Sequence, residues 1–297
     1  MEEVAIIIPV YNDASRLDSC LQALSLQSYP QSHLCVYVVD NNSTVDIASV
    51  VQKYHFAKYL KEETPGSYSA RNKALGSLDK ETYVGFTDSD CIPDVDWVMN
   101  AVTRLERNPL STVGGKVKVF SLSKPPNSVE HYEMLFGFPQ KTYVQSDNFA
   151  VTANLFTTRE VIDLVGTFNT RLYSGGDAEY GNRMAQHGVH LDYAEDVTVE
   201  HPARNSMKQL TNKIKRTVGG CYQQREVNPV MAQSFTTMAL LKGFIPPLRV
   251  WRELYHMGHL PVLTKCKVGV LAAILKYRKA LIKVAYKLRL IRSFERF

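Results

Sequence analysis

The sequence predicts an α/β protein: a mostly parallel central sheet flanked by helices, followed by a basic helical extension. Three observations carry that expectation. Short apolar runs at residues 4–10, 34–39 and 83–86 read as strands buried on both faces. Segments of helical period lie between them, and alternation of strand and helix gives a parallel sheet with right-handed crossovers. Each run also stops at a polar cluster: "YND" (Tyr11 to Asp13), "DNNS" (Asp40 to Ser43) and "DSD" (Asp88 to Asp90).

In chain order, "VAIIIPV" is the first strand. Residues 15–28 then place Leu17, Leu21, Leu24 and Leu26 close to helical spacing. Residues 34–39 form the second strand, 45–54 a helix and 59–61 a short strand. "TPGS" is a turn and 69–78 a helix. The strand at 83–86 is followed by a helix at 97–107. Beyond it the alternation weakens. Residues 113–120 read as a strand, and 149–156 lead into a helix near Thr158 with Glu160 in its first turn. "SGGDAEYGNRMAQHG" is a glycine turn and a helix that stops at Gly188. A strand at 191–199 and a helix at 206–216 complete this part. "SKPPNS" (Ser123 to Ser128) is expected to be a mobile loop.

The chain has 297 residues, 45% of them hydrophobic and 22% charged, which fits a globular protein and excludes a disordered one. The expected division is a catalytic domain at 1–225 and a tail at 226–297. The five cysteines are scattered and lack CxxC spacing, so they read as reduced thiols in a cytosolic protein without a zinc site. The start, "MEEVAIIIPVYND", is too acidic and too short in its apolar run for a signal peptide. The net charge of +6 hides a split. Residues 242–297 hold 13 Lys/Arg against 2 Asp/Glu, a net of +11, whereas residues 1–241 carry −5.

Ligands of such sheets bind beyond the carboxyl ends of the strands, so the three polar clusters should converge on one crevice. In Asp88-Ser89-Asp90 an extended chain turns both carboxylates to the same side, where they can face one hard cation or its water shell. Asp94 and Asp96 read instead as helix-capping or solvated acids. Asp40 and Asp13 are placed to accept hydrogen bonds from a nucleobase or ribose, with a plain turn role as the alternative. Arg71 opens a helix after a glycine turn, where a guanidinium suits phosphate or base oxygens; a surface ion pair is the alternative. Asp177 and Glu179 begin a helix after Gly175-Gly176. One of them can serve as general base, although a helix N-terminus also favours acids for structural reasons. His201, after a strand, is a candidate third metal ligand or phosphate contact.

Five segments, "IIIPVYND", "VVDNNST", "PGSYSARNKAL", "GFTDSDCIPDVDW" and "GGDAEYGNRM", occur in the order seen in family 2 glycosyltransferases, which have the GT-A fold. The resemblance spans about residues 4–220. It implies that Pro9, Tyr11, Asp13, Asp40 and Arg71 hold the nucleotide of a nucleoside-diphosphate sugar. Asp88 and Asp90 then form the DxD pair that binds ribose and Mn²⁺ or Mg²⁺. The family's acidic motif reads Glu-Asp-x-Asp/Glu-Leu. Here Gly176-Asp177-Ala178-Glu179-Tyr180 lacks the first Glu, leaving Asp177 as base and Glu179 as second choice. The QxxRW motif of processive members is absent, which implies single-sugar transfer. The chemistry implied is inverting: the base takes a proton from the acceptor hydroxyl, whose oxygen attacks the anomeric carbon opposite the diphosphate.

In the tail, Ile274, Tyr277, Leu281, Val284, Leu288 and Ile291 form one apolar helical stripe, with Lys276, Lys279, Lys283 and Lys287 off it. The longest apolar run, 268–275, is far short of the roughly 20 residues a membrane span needs. The tail is therefore expected to lie on an anionic membrane surface; packing of the stripe on the catalytic domain is the alternative. No nucleic-acid-binding fold is recognisable.

The expectation is thus a metal-dependent inverting transferase at the inner face of the plasma membrane. Its acceptor would be a lipid-linked or cell-surface glycan. Two rivals remain. A nucleotidyltransferase would bring a glycine-rich basic loop where this chain has "VYNDASRLD". A non-catalytic membrane adaptor on the same fold would be indifferent to Asp177.

Overall fold

The computed structural model describes residues 1–291 apart from Tyr173, Val227 and His259; the last six residues of the expected tail, 292–297, lie outside the described residues. The chain forms two compact units. The first comprises Met1–Lys118, Phe138–Arg171 and Gly176–Pro202, and the second comprises Val119–Gly137, Leu172–Gly175 and the chain from Ala203 onward. The second unit thus takes in the basic tail together with 119–137 and 203–225, which the sequence reading had placed with the catalytic domain.

In chain order the elements of the first unit begin with β1 (Val4–Val10), α1 (Ala14–Ser25), β2 (Leu34–Asp40), α2 (Ala48–Val51), β3 (Ala57–Lys61), α3 (Ser67–Leu75) and β4 (Tyr83–Thr87). They continue with β5 (Ile92–Pro93), α4 (Trp97–Leu105) and β6 (Ser111–Phe120), whose last two residues belong to the second unit. After α5 (Ser128–Phe136) of the second unit come α6 (Gln140–Asp147), β7 (Asn154–Thr158), α7 (Arg159–Val165), α8 (Gly176–Gln186) and β8 (His190–Pro202). The strands form one sheet in the order β3-β2-β1-β4-β7-β6-β8-β5.

β1 is central because nearly every side chain on it is apolar. Ile6, Ile7 and Ile8 are fully buried, and each such side chain contributes about 1.5–3 kcal/mol relative to exposure. It pairs in parallel with β2 (Ile6 opposite Val36) and with β4 (Ile6 opposite Gly85). Gly85 is required there: a Cβ would sit 2.5 Å from the Phe156 ring and 2.7 Å from Ile6. β2 and β3 are also parallel, as strand–helix alternation predicts. β7 runs antiparallel to both β4 and β6, and β5 runs antiparallel to β8. The reversal begins where the chain stops inserting one helix per strand.

Leu17, Leu21 and Leu24 of α1 cover one face of the sheet, as their spacing predicts. α4 buries Trp97, Val98, Ala101, Val102 and Leu105. The Trp97 ring meets Phe156 edge-on at 4.5 Å, and its Nε1–H donates to Asn154 Oδ1 at 2.9 Å. Asp96 is the N-cap residue of α4, but its side chain makes no capping hydrogen bond; Asp94 accepts instead from the backbone N–H of Val95.

Several boundaries differ from the sequence reading. α2 starts later than residue 45 because the Asp46 carboxylate captures the Ser49 N–H and hydroxyl. "SKPPNS" ends in a helix start: Asn127 and Glu130 make a reciprocal capping box that opens α5. α5 and α6 fill a stretch where no element had been assigned.

The second unit holds α5, α9 (Met207–Gln224), α10 (Pro229–Gln233), α11 (Thr237–Lys242), α12 (Leu248–His256) and α13 (Val262–Lys287). Leu210, Leu271 and Leu275 form one apolar cluster with Val129, Tyr132, Met207 and Ile214. Val218, Phe235 and Tyr286 form another. Glu133, fully enclosed, is held by Arg204 at 2.6 Å and Lys213 at 3.1 Å. Burial pushes the Lys213 ammonium down to about 8. Among the described residues no helix is long and apolar enough to cross a membrane.

Candidate active site

The three polar clusters meet at the carboxyl ends of β1, β2 and β4. Asn12, in the left-handed region (φ 53°), donates its backbone N–H to Ser43 Oγ at 2.9 Å and accepts from the Thr44 N–H at 2.7 Å. That links the first cluster to the second. Arg16, one turn into α1, links the first to the third. It pairs with Asp13 at 2.8 Å and reaches Asp90 Oδ2 at 3.4 Å. Ser89 Oγ adds a 3.4 Å bond to Asp13.

Asp88 and Asp90 have different surroundings. Asp88 Oδ1 accepts from Arg71 Nη2 at 2.7 Å, and the Arg71 side chain is only 3% exposed. Arg71 Nε is buried without a partner. Asp90 has only long contacts, Arg16 at 3.4 Å and His201 Nε2 at 3.6 Å. Burial raises its carboxyl above the ordinary range; His201 opposes that and Asp88 adds to it. His201 Nδ1 lies 2.7 Å from the Pro202 carbonyl, to which it donates, so the Nε2 lone pair faces Asp90. Phe138 packs on the imidazole at 4.7 Å.

Among the described residues, no three His, Cys, Asp or Glu side chains gather into a metal-holding group. The expected set of Asp88, Asp90 and His201 is therefore divided: Asp88 answers Arg71, while Asp90 and His201 face each other. Two acceptors 3.6 Å apart, one a half-buried carboxylate with only long contacts to its neighbours, still suit a divalent cation. Mg²⁺ and Mn²⁺ need few protein ligands when water and phosphate oxygens supply the rest, and a backbone carbonyl behind a ligating imidazole is a common second support.

Asp177 sits in the first turn of α8 and accepts from Thr152 Oγ1 at 3.1 Å. Burial raises its carboxyl; Arg71 draws it down and Asp88 pushes it up, so it lies within the field of that pair. The neighbouring Gly176 N–H donates to Tyr68 Oη at 2.8 Å. A Cβ on Gly176 would stand 2.6 Å from two carbons of the Tyr68 ring. Glu179, the second choice for the base, is engaged within its own helix. Its carboxylate grips Arg183 at 2.6 and 3.2 Å, and Arg183 also donates to the carbonyls of Val165 and Thr167. That engagement ties α8 to the end of α7 and leaves Glu179 apart from the acidic cluster.

The expected nucleotide residues divide as well. Tyr11 is 64% exposed just past β1, and Pro9 lies within β1 opposite Val39. Asp40 is buried, with Oδ1 accepting from the Ser43 N–H and Oδ2 from Tyr59 Oη, each at 2.9 Å. Each oxygen keeps a second acceptor site. The sequence reading had missed Arg16, Tyr59, Tyr68 and Thr152. Arg16 had a signal, since it follows Asp13 by three residues at a helix start. Thr152 had none, because it lies in a stretch without motifs.

Comparison with known proteins identifies the family and the fold. The sequence model described as "Glycosyl transferase family 2" matches residues 5–166. "Glycosyltransferase AglE" of Haloferax volcanii is 32% identical over 82% of this chain and 81% of that protein. A Methanococcus voltae enzyme is 23% identical over 73% and 71%; it is named dolichyl N-acetyl-alpha-D-glucosaminyl phosphate 3-beta-D-2,3-diacetamido-2,3-dideoxy-beta-D-glucuronosyltransferase. Among solved structures, the mannosyltransferase PcManGT from Pyrobaculum calidifontis, in complex with GDP-Man and Mn²⁺, superposes with a TM-score of 0.65 at 20% identity, covering 98% of this chain and 88% of that one. S. aureus TarS 1–349 with UDP-GlcNAc gives 0.58 at 16%, covering 99% and 94%. The family match covers more than half of the sequence, and the similarity to the Haloferax protein runs through most of both chains. The chain therefore belongs to glycosyl transferase family 2 and is a glycosyltransferase with the GT-A fold.

Proposed function

We propose that the protein moves one sugar from a nucleoside-diphosphate donor to a hydroxyl of a lipid-linked or cell-surface glycan, with inversion at the anomeric carbon. The observation that supports this best is the placing of Asp177 beside the Arg71–Asp88 pair, with Asp90 and His201 opposed 3.6 Å apart. Asp13, Asp40 and Tyr11 would hold the base and ribose, and the half-buried Asp88 would meet the ribose. Arg71, with its unused Nε–H, would hold its neighbours against the diphosphate charge. Asp90 and His201 would hold Mn²⁺ or Mg²⁺, which as a Lewis acid supplies stabilisation of charge on the departing diphosphate.

Asp177 is the group that takes the acceptor proton. Thr152 fixes one of its oxygens, leaving the other to face the acceptor hydroxyl. Burial keeps its proton affinity above that of an ordinary aspartate, which makes it a stronger base once ionised. The names of the archaeal relatives, one of them a dolichyl-phosphate-type transferase, favour a lipid-linked acceptor. With the basic tail they favour a peripheral position at the cytoplasmic face of the membrane.

Calorimetric titration with UDP, GDP and dTDP, with and without Mn²⁺, tests the reading on wild type and Asp90→Asn. Metal-dependent binding of one nucleotide, lost in the variant, is the expected result. No binding of any nucleotide by a folded sample overturns it.

A further inference from the structure

α13 buries Val268, Leu271, Ala272, Leu275 and Tyr286. At 3.6 residues per turn these fall on one side of the helix. Leu263, Val270, Ile274, Leu281 and Leu288 fall within about 40° of one another on a different side. Their exposures are 66%, 61%, 41%, 57% and 62%. The stripe that the sequence shows is therefore not the packed face of the helix, and it begins a full three turns earlier than the periodicity alone suggested. Tyr277 and Val284 lie half-buried along its edge.

α12 packs against α13 as well. Trp251 donates its Nε1–H to the Gly269 carbonyl at 3.0 Å and Leu254 is buried, which leaves Leu248 and Tyr255 turned out at 62% and 80% exposure. Phe244 and Ile245 in the preceding turn are exposed too. Such a run of large exposed apolar side chains marks an interaction surface rather than ordinary solvent-facing protein.

Charge selects the occupant. Residues 242–291 carry 11 Lys/Arg and one acid, Glu253, which is paired with Arg249 at 2.9 Å. Lys267 and Arg278 follow the apolar face along its length at about 20–40° to it. Two copies of this chain meeting here would oppose cation to cation. A bilayer with anionic headgroups accepts both the apolar face and its cationic border. The absence of any spanning helix among the described residues leaves lying in the interface as the mode of contact.

We infer that the α12–α13 face, centred on Val270, Ile274 and Leu281, is the surface by which this protein docks on anionic membrane lipid. This deepens the membrane part of the proposed function and rests on it. The full-length protein is mixed with vesicles of phosphatidylcholine alone or with added phosphatidylglycerol. Sedimentation and tryptophan emission are then read. The chain has two tryptophans, and Trp97 is fully buried, so a change reports Trp251.

The wild type is expected to sediment with the anionic vesicles, with a blue shift. Val270→Gln, Ile274→Gln and Leu281→Gln together are expected to weaken binding by about tenfold or more. Lys267→Gln alone is expected to weaken it about fivefold and to reduce its salt dependence. Wild type that ignores both vesicle types overturns the inference, as does a triple variant that binds like wild type. So does a protein that ignores vesicles but forms a dimer dissolved by the triple variant, which would assign the face to a second copy. Nucleotide titration on the same samples reads the transfer site separately. Its failure with intact vesicle binding would sink the transferase mechanism and leave the docking surface standing.

Discussion

Replacing Gly176 by alanine tests whether Asp177, the proposed base, is held by packing. The added Cβ would fall 2.6 Å from two carbons of the Tyr68 ring and 2.9 Å from a third, so something must move by about 1 Å to restore an ordinary van der Waals distance. The ring cannot simply swing away. Tyr68 is 7% exposed and stacks on Phe168, which is itself wedged between Phe86 at 5.3 Å and Tyr180 at 4.5 Å. Overpacking of this kind costs about 1–3 kcal/mol. Alanine returns up to about 1 kcal/mol through its better helix propensity. The net loss of stability is therefore about 0–3 kcal/mol, and the domain stays folded. The effect on chemistry is larger, because Asp177 is the next residue and a misplacement of about 1 Å costs about 100-fold in rate. Urea unfolding and single-turnover transfer from the donor sugar would be measured on the same preparation. A rate within about threefold of wild type, or a rate loss matched by the fraction unfolded, refutes the argument that the Tyr68–Gly176 contact places the base.

Four further outcomes follow from the same geometry. Asp177→Asn should abolish transfer and keep nucleotide affinity. Because burial raises this carboxyl in the folded state, the native protein binds more protons than the unfolded chain between the ordinary aspartate value and the raised one. Stability therefore falls as pH rises through that window, and the variant should be at least as stable as wild type in urea at neutral pH; a clear destabilisation contradicts the assignment. In wild type, kcat/KM should fall as pH drops through the raised value, with its acid limb above that of a free aspartate. Tyr59→Phe removes one donor to Asp40 and should weaken nucleotide binding about fivefold by calorimetry. Glu133→Gln leaves Arg204 and Lys213 facing an uncharged buried partner and should cost about 3 kcal/mol in denaturant unfolding.

The placement of the acidic residues at the sheet edge was legible because its physics is local. A strand buried on both faces, such as Val4–Val10, must be apolar throughout, and the residues just past it are then fixed at the sheet edge. Asp13, Asp40, Asp88 and Asp90 were found by position for that reason. The rest depends on partners distant in sequence. Nothing near Thr152 announces a hydroxyl aimed at Asp177, and the antiparallel pairing of β7, with Phe156 opposite Gly85 and Thr157 opposite Thr112, joins residues that no local pattern links. The pairing of Glu179 is local by contrast. Its partner Arg183 stands four residues on, an ordinary helical spacing.

Arg16 has one more consequence. Its guanidinium spans from Asp13 to Asp90 and gives the acidic pocket a positive neighbour before any ligand arrives. The resting protein thus carries its own counter-ion. Chelators should leave its melting temperature nearly unchanged, since folding does not wait for a metal. Under the proposed function, a divalent ion beside Asp90 would compete with Arg16 for the same carboxylate, and the freed guanidinium would be available to a diphosphate.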